Sequence, residues 1–152
     1  MIPFHRHNRR RRLSLITGAI AITFALTSNI VLAADLEIIV TSVKNNAGNV
    51  HLAIYNDPDK FPDSDGMISE TEVAITGLTA RHLFTGLAPG RYAVAVYHDA
   101  NDNDEFDQGF LGIPLEDYAF SSGATAFLGP PSFEAAAFAI TGDHRVTIPM
   151  ND

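Results

Sequence analysis

Apolar and polar residues alternate with a period of two through most of this chain, the pattern of strands that bury one face. Leu36, Ile38 and Val40 alternate with Glu37 and Thr41. Asn45-Asn46-Ala47-Gly48 then reads as a turn, and Val50, Leu52 and Ile54 alternate with Asn49 and His51. Together these segments predict an antiparallel hairpin. Asp57 to Gly66, with its prolines and aspartates, is a loop. Val73 and Ile75 mark a third strand that ends near Gly77, and Arg81 to Phe84 a fourth. Leu87-Ala88-Pro89-Gly90-Arg91-Tyr92 reads as a tight turn, because proline fixes φ and glycine accepts positive φ. The strand that follows is apolar on both faces, with Tyr92, Val94 and Val96 on one and Ala93, Ala95 and Tyr97 on the other, as a central strand would be. Tyr92 stands where sandwich folds place a tyrosine corner, so Pro89, Gly90 and Tyr92 are read as structural.

Gly109 to Ser132 is a long connection broken by Pro114, Pro130 and Pro131. Loops of that length are functional or disordered, and Tyr118, Phe120, Phe127 and Leu128 argue against disorder. Phe133 to Ile140 and His144 to Met150 supply the last strands, although Glu134-Ala135-Ala136-Ala137-Phe138 has equal propensity for a short helix. The fold class is therefore all-β: an immunoglobulin-like or prealbumin-like antiparallel β-sandwich of about seven strands, with a small barrel as the alternative.

Residues 1–33 depart from the alternation. Arg6 and Arg9 to Arg12 precede a charge-free, largely apolar run from Leu13 to Leu32, and Val31-Leu32-Ala33 offers small residues at a cleavage point. This is the pattern of a signal peptide cut after Ala33, with Ala34 as the second choice. An uncleaved anchor is the competing reading, weakened by Thr17, Thr23, Thr27, Ser28 and Asn29 within the span. Residues 34–152 then form a single domain, periplasmic or secreted, with no stable membrane insertion after cleavage. Five of the ten Lys and Arg lie in the leader, whereas all 18 Asp and Glu follow it, leaving 5 basic against 18 acidic groups and a net −13. So acidic a surface repels nucleic acid and anionic lipid. The chain has no cysteine, so disulfides play no part.

The most specific chemistry lies in His98-Asp99-Ala100-Asn101-Asp102-Asn103-Asp104-Glu105-Phe106-Asp107. Counted as a calcium loop, Asp99 takes position 1, Asn101 position 3, Asn103 position 5 and Asp107 position 9. Glu105 offers its backbone carbonyl at position 7, and Phe106 fills the hydrophobic position 8. Asp104 stands where glycine is preferred, although aspartate tolerates the left-handed conformation. Phe110 replaces the bidentate carboxylate of position 12, a place that Glu116, Asp117, Asp57 or Asp59 could fill. An Asx-rich turn bonding its own backbone explains the same residues without an ion. With two certain carboxylates, calcium affinity falls on the order of 10⁻⁴ to 10⁻³ M, and magnesium suits the site less well.

Other chemistry is weaker. His51, His82, His98 and His144 show no His-x₃-His spacing, so the sequence points to no zinc site. Ser121 or Ser122 with His98 and Asp99 could be assembled as a hydrolase, but no nucleophile elbow is present.

Several of these segments recur together in a family that the chain resembles. They are Leu87-Ala88-Pro89-Gly90-Arg91-Tyr92-Ala93-Val94, Tyr97 to Asn103 with Asp107, Gly112-Ile113-Pro114-Leu115-Glu116-Asp117-Tyr118-Ala119-Phe120-Ser121, and Gly129 to Phe138. The set is similar to a family of exported bacterial proteins known as a domain of unknown function, over about Leu36 to Met150. The resemblance implies an exported single domain and no transferable activity. A weaker likeness is to prealbumin-like modules and to calcium-stabilised repeats of bacterial adhesins, with Asn103-Asp104 replacing their Asp-Gly. The resulting expectation is an exported, non-catalytic binding or structural module. Its Asp99–Asp107 loop would order the long loop, and a protein or glycan would meet His98, Tyr118, Phe120 and Phe127. Core capping is the competing role for Phe120 and Phe127. A periplasmic enzyme using His98 with Asp99 or Glu116 is the alternative.

Overall fold

A computed structural model describes residues 32–150, so the leader expected over residues 1–33 lies almost wholly outside the described part. The domain is all-β, as expected, with eight strands where about seven were counted. Ala34–Thr41 (β1), Ala80–Leu87 (β4) and His144–Pro149 (β8) form a three-stranded sheet in the order β4-β1-β8. Asn49–Tyr55 (β2), Ser69–Ala74 (β3), Gly90–Asp99 (β5) and Tyr118–Phe120 (β6) form the larger sheet, in the order β3-β2-β5-β6. Phe138–Ile140 (β7) pairs with the beginning of β5 beside β6. Pairing is antiparallel throughout except between β1 and β8, which run parallel. Among the described residues no helix is long and apolar enough to cross a membrane.

The expected β1–β2 hairpin does not form: β1 pairs with β4 and β8, β2 with β3 and β5. Two facing strands that each bury one side toward a shared core carry the same alternation as a hairpin, so periodicity does not separate them. Residues 42–48 cross between the sheets instead, burying Val43 to 2 % exposure on the way. The inner core joins Leu36, Ile38 and Val40 to Leu52, Val94 and Ile148 across the layers.

β5 is central, and its two apolar faces have different tasks. Tyr92, Val94 and Val96 face the inner core. On the other face Ala93 packs in a second cluster with Ala53, Tyr55, Phe133 and Ala136, against which Ala95 and Phe120 lean. The Tyr92 hydroxyl donates to the Ala88 carbonyl at 2.8 Å, forming the expected corner. Gly90, however, does not have positive φ; that conformation falls to Gly86, at φ 74°, before the turn. Phe133–Ala136 forms a short helix (α1), ahead of β7, where an unbroken strand was expected. Ser132 caps it by accepting a hydrogen bond from the Ala135 amide, which favours the helical alternative in this alanine-rich stretch.

Between β6 and β7 the edge of β5 has no strand partner at Val94. Ser121 fills the gap: its fully buried Oγ accepts from the Val94 amide at 2.8 Å and donates to the Ala136 carbonyl at 2.6 Å. It is therefore a sheet-closing residue rather than a nucleophile. Ser121→Ala should orphan a buried amide and lower stability by about 1–3 kcal/mol in urea unfolding.

Candidate functional site

The outer face of the larger sheet carries the polar chemistry of the domain. Register places His51 opposite Tyr97, and Asn49 opposite Asp99, so His51 and Asp99 are diagonal neighbours on one face. Asp99 is fully buried at the end of β5. Burial pushes its carboxyl upward, but the amides of Asp104, Asn103 and Asp102 and the His51 ring outweigh that effect and hold it below the ordinary range. Asn103 N donates to Oδ1 at 3.2 Å and Asp104 N to Oδ2 at 2.8 Å. Asp102 and Asp104 occupy the left-handed region at φ 60° and 61°, the conformation allowed for at position 6.

The two asparagine side chains of the loop converge on Asp107. Asn101 Nδ2 donates to Asp107 Oδ2 at 2.8 Å, and Asn103 Nδ2 reaches Oδ1 at 3.3 Å. Asn103 Oδ1 accepts from the Glu105 amide at 3.0 Å, an Asx turn of the kind weighed against an ion. Glu116 returns from the long loop and its Oε2 accepts from the Asp107 amide at 3.1 Å. Its Oε1 is buried without a partner. Burial, and then the charges of Asp99 and Asp107, raise its carboxyl above the ordinary range. Of the candidates for the missing carboxylate, Glu116 is thus the one seen bonding to the Asp99–Asp107 loop.

His98 packs inward at the end of β5, as an orienting residue at a strand end would, and not on an exposed surface. It is 2 % exposed and its Nε2 donates to the Ala47 carbonyl at 2.8 Å. The alternation of β5 turns it to the face opposite Asp99 and Tyr97, where it pins the 42–48 crossing. Gly48 in that crossing admits no side chain, since a Cβ there would stand 1.8 Å from the Asp99 carbonyl oxygen.

Beside the acidic end runs a line of aromatic contacts: Tyr97 to Phe106 at 5.3 Å, Phe106 to Tyr118 at 5.9 Å, Tyr118 to Phe120 at 5.8 Å and Phe120 to Phe61 at 5.8 Å. Tyr97, Phe106, Tyr118 and Phe120 floor a groove of about 750 Å³ whose other walls include Leu111, Ile113 and Leu128 from the long loop. Phe120 leans on the outer cluster as a core cap would, whereas Phe127 is 86 % exposed and caps nothing. Sequence reasoning set His51 aside and missed Tyr97 as a site residue. His51 lies far from the acidic motif in the chain and has no metal-ligand spacing, and Tyr97 was read as part of a strand.

No curated protein and no solved structure matches the chain. A family described as an uncharacterized protein conserved in bacteria (DUF2141) matches residues 38–148, from Ile38 of β1 to Ile148 of β8. That span contains both sheets, the acidic loop and the groove, and the chain belongs to this bacterial family.

Proposed function

We propose that the domain is an exported, non-catalytic binding module, periplasmic or secreted, whose groove receives an apolar segment of a protein partner. The observation that carries this reading is the pair Leu111 and Leu128. Both line the groove, both are more than four-fifths exposed, at 82 % and 98 %, and both hold left-handed backbone at φ 61° and 55°. Bulky residues adopt that conformation at a cost, and such outliers cluster at ligand clamps. Phe110, Ile113, Leu115 and Phe127 extend the exposed apolar surface beside them. A glycan is the less suitable ligand, because the exposed groups beside the floor are the aliphatic side chains of Leu111, Ile113 and Leu128 rather than flat rings. Asp63 and Glu70 also line the groove and favour a partner with basic residues beside its apolar ones.

Calcium in the Asp99–Asp107 loop is part of the proposal. The desolvated carboxyl of Glu116 beside Asp99 and Asp107 supports it, since a hard cation would relieve the charge that the amides of Asp107 and Ala100 only partly answer. Binding would need the amides of Asn101 and Asn103 to turn their oxygens inward.

Three measurements test these readings. Millimolar calcium should raise the melting temperature relative to chelator, and an unchanged melt would leave the loop an Asx turn. Glu116 favours its protonated form in the fold, so its contribution is present at low pH and lost as pH rises through its raised folded pKa. Glu116→Gln should therefore raise the melting temperature in chelator at neutral pH while reducing the calcium shift. Peptides selected by display on the purified protein should be apolar with basic flanks. Leu128→Asp should weaken them at least about tenfold, roughly 1.4 kcal/mol, without altering the melt. Peptides insensitive to Leu111→Asp and Leu128→Asp, or glycans that bind in their place, would refute the groove reading.

A further inference from the structure

His51 carries an unanswered nitrogen. The side chain is 5 % exposed, yet its Nε2 has no hydrogen-bond partner. It points at Asp99 Oδ2, 3.6 Å away, and at Asp104 Oδ1, 3.9 Å away, and the three ligand atoms all lie within 4.8 Å of one another. The two separations from Nε2 are too long for hydrogen bonds but approach the edge of a tetrahedron around zinc, about 3.4 Å for bonds of about 2.0–2.2 Å, and the two carboxylates, within 4.8 Å, would draw together on the ion. We propose that His51 Nε2, Asp99 Oδ2 and Asp104 Oδ1 form a binding site for a zinc-class divalent transition metal, which shares Asp99 with the calcium reading but does not depend on it.

Two of the three ligands are already oriented. The His51 ring is stacked on Tyr97 with centroids 4.5 Å apart and planes 15° from parallel. Its Nδ1 faces Glu70 Oε1 at 3.7 Å, a carboxylate placed to receive the Nδ1 proton once a metal occupies Nε2. Asp99 is held by the amides of Asn103 and Asp104. Asp104 is 70 % exposed and supplies the third ligand, with its side chain free to draw in from 3.9 Å toward the other two. A shallow cleft bounded by His51, Glu70, Thr71, Glu72 and Asp104 gives access, with acidic walls that concentrate cations. The chemistry also separates the metals: calcium takes oxygen ligands, whereas an imidazole nitrogen with two carboxylates suits zinc and its neighbours in the first transition row. Three protein ligands leave the fourth position to water from the cleft.

The test is zinc titration of the purified full-length protein by calorimetry, with the ring nitrogens of His51 followed by ¹⁵N NMR. One zinc per chain at this site, with a metal-induced change at Nε2 and the proton on Nδ1, is the expected result. Asp104→Asn lies on the surface and should fold normally while weakening zinc at least about tenfold, and Glu70→Gln should cost about 10–100-fold. His51→Ala should abolish binding at this site yet leave any calcium-induced rise in melting temperature intact, so failure of one ion reading is distinguishable from failure of the other. Unmoved His51 ring signals at saturating zinc would overturn the proposal. So would zinc affinity indifferent to both Asp104→Asn and His51→Ala, or a His51 doubly protonated at neutral pH and unresponsive to the metal, an imidazolium among carboxylates.

Discussion

The burial of one carboxylate, that of Asp99, governs the functional end of this domain. A charge taken fully out of water must be answered by hydrogen bonds or an opposite charge. Here the answer comes from the backbone immediately downstream, which curls back so that the amides of Asn103 and Asp104 reach the two oxygens. That curl requires left-handed residues at 102 and 104, and both are aspartates. It also sets the course of the chain that follows. Phe106 comes to rest between Tyr97 and Tyr118, and Asp107 within reach of Asn101, Asn103 and Glu116. The loop is thus shaped by its first residue before any ion is considered.

The opposite side of the same strand end is equally constrained. Gly48 lies against the Asp99 carbonyl with no room for a side chain, and His98 ties its ring to Ala47. The crossing between the sheets and the acidic loop therefore meet at Asp99 from two directions. A dipeptide, His98-Asp99, sends one side chain to each. Adjacent residues on a strand point to opposite faces, so two polar residues in succession at a strand end can serve two layers.

Much of the fold was legible because β structure advertises itself locally. The double-faced β5, the Tyr92 corner and the all-β class follow from alternation and turn chemistry. What escaped was non-local. Whether β1 and β2 share a sheet depends on the energetics of layer packing, to which the two strands contribute identical patterns. The gap in β5 closed by Ser121 depends on where β6 stops and β7 begins. The acidic motif was visible for the spacing of its oxygens, and Asp104 at φ 61° shows that an aspartate can stand where glycine is preferred. His51 was invisible as a site residue, because a histidine in a strand acquires its neighbours from register. Its partners arrive from β3, from β5 and from the loop beyond, none within the spacing by which a sequence announces a metal site.

The acidic end and the aromatic groove are not independent parts. Tyr97 belongs to both: its ring stacks on His51 and meets Phe106, and it lines the same groove as Tyr118. Phe106 in turn lies two residues from Asp104 and one from Asp107, so the loop cannot rearrange around a cation while leaving the groove floor untouched. Burial, and then the surrounding carboxylates of Glu70, Asp99, Glu116 and Asp104, raise the Tyr97 hydroxyl above its ordinary range, so the phenol stays neutral and a donor under any physiological condition. A neutral aromatic placed between a carboxylate cluster and an apolar groove separates the two electrostatically while joining them mechanically. One side of the sheet thus carries a carboxylate cluster at one end and a largely apolar groove along it, with the three residues from Tyr97 to Asp99 forming the seam.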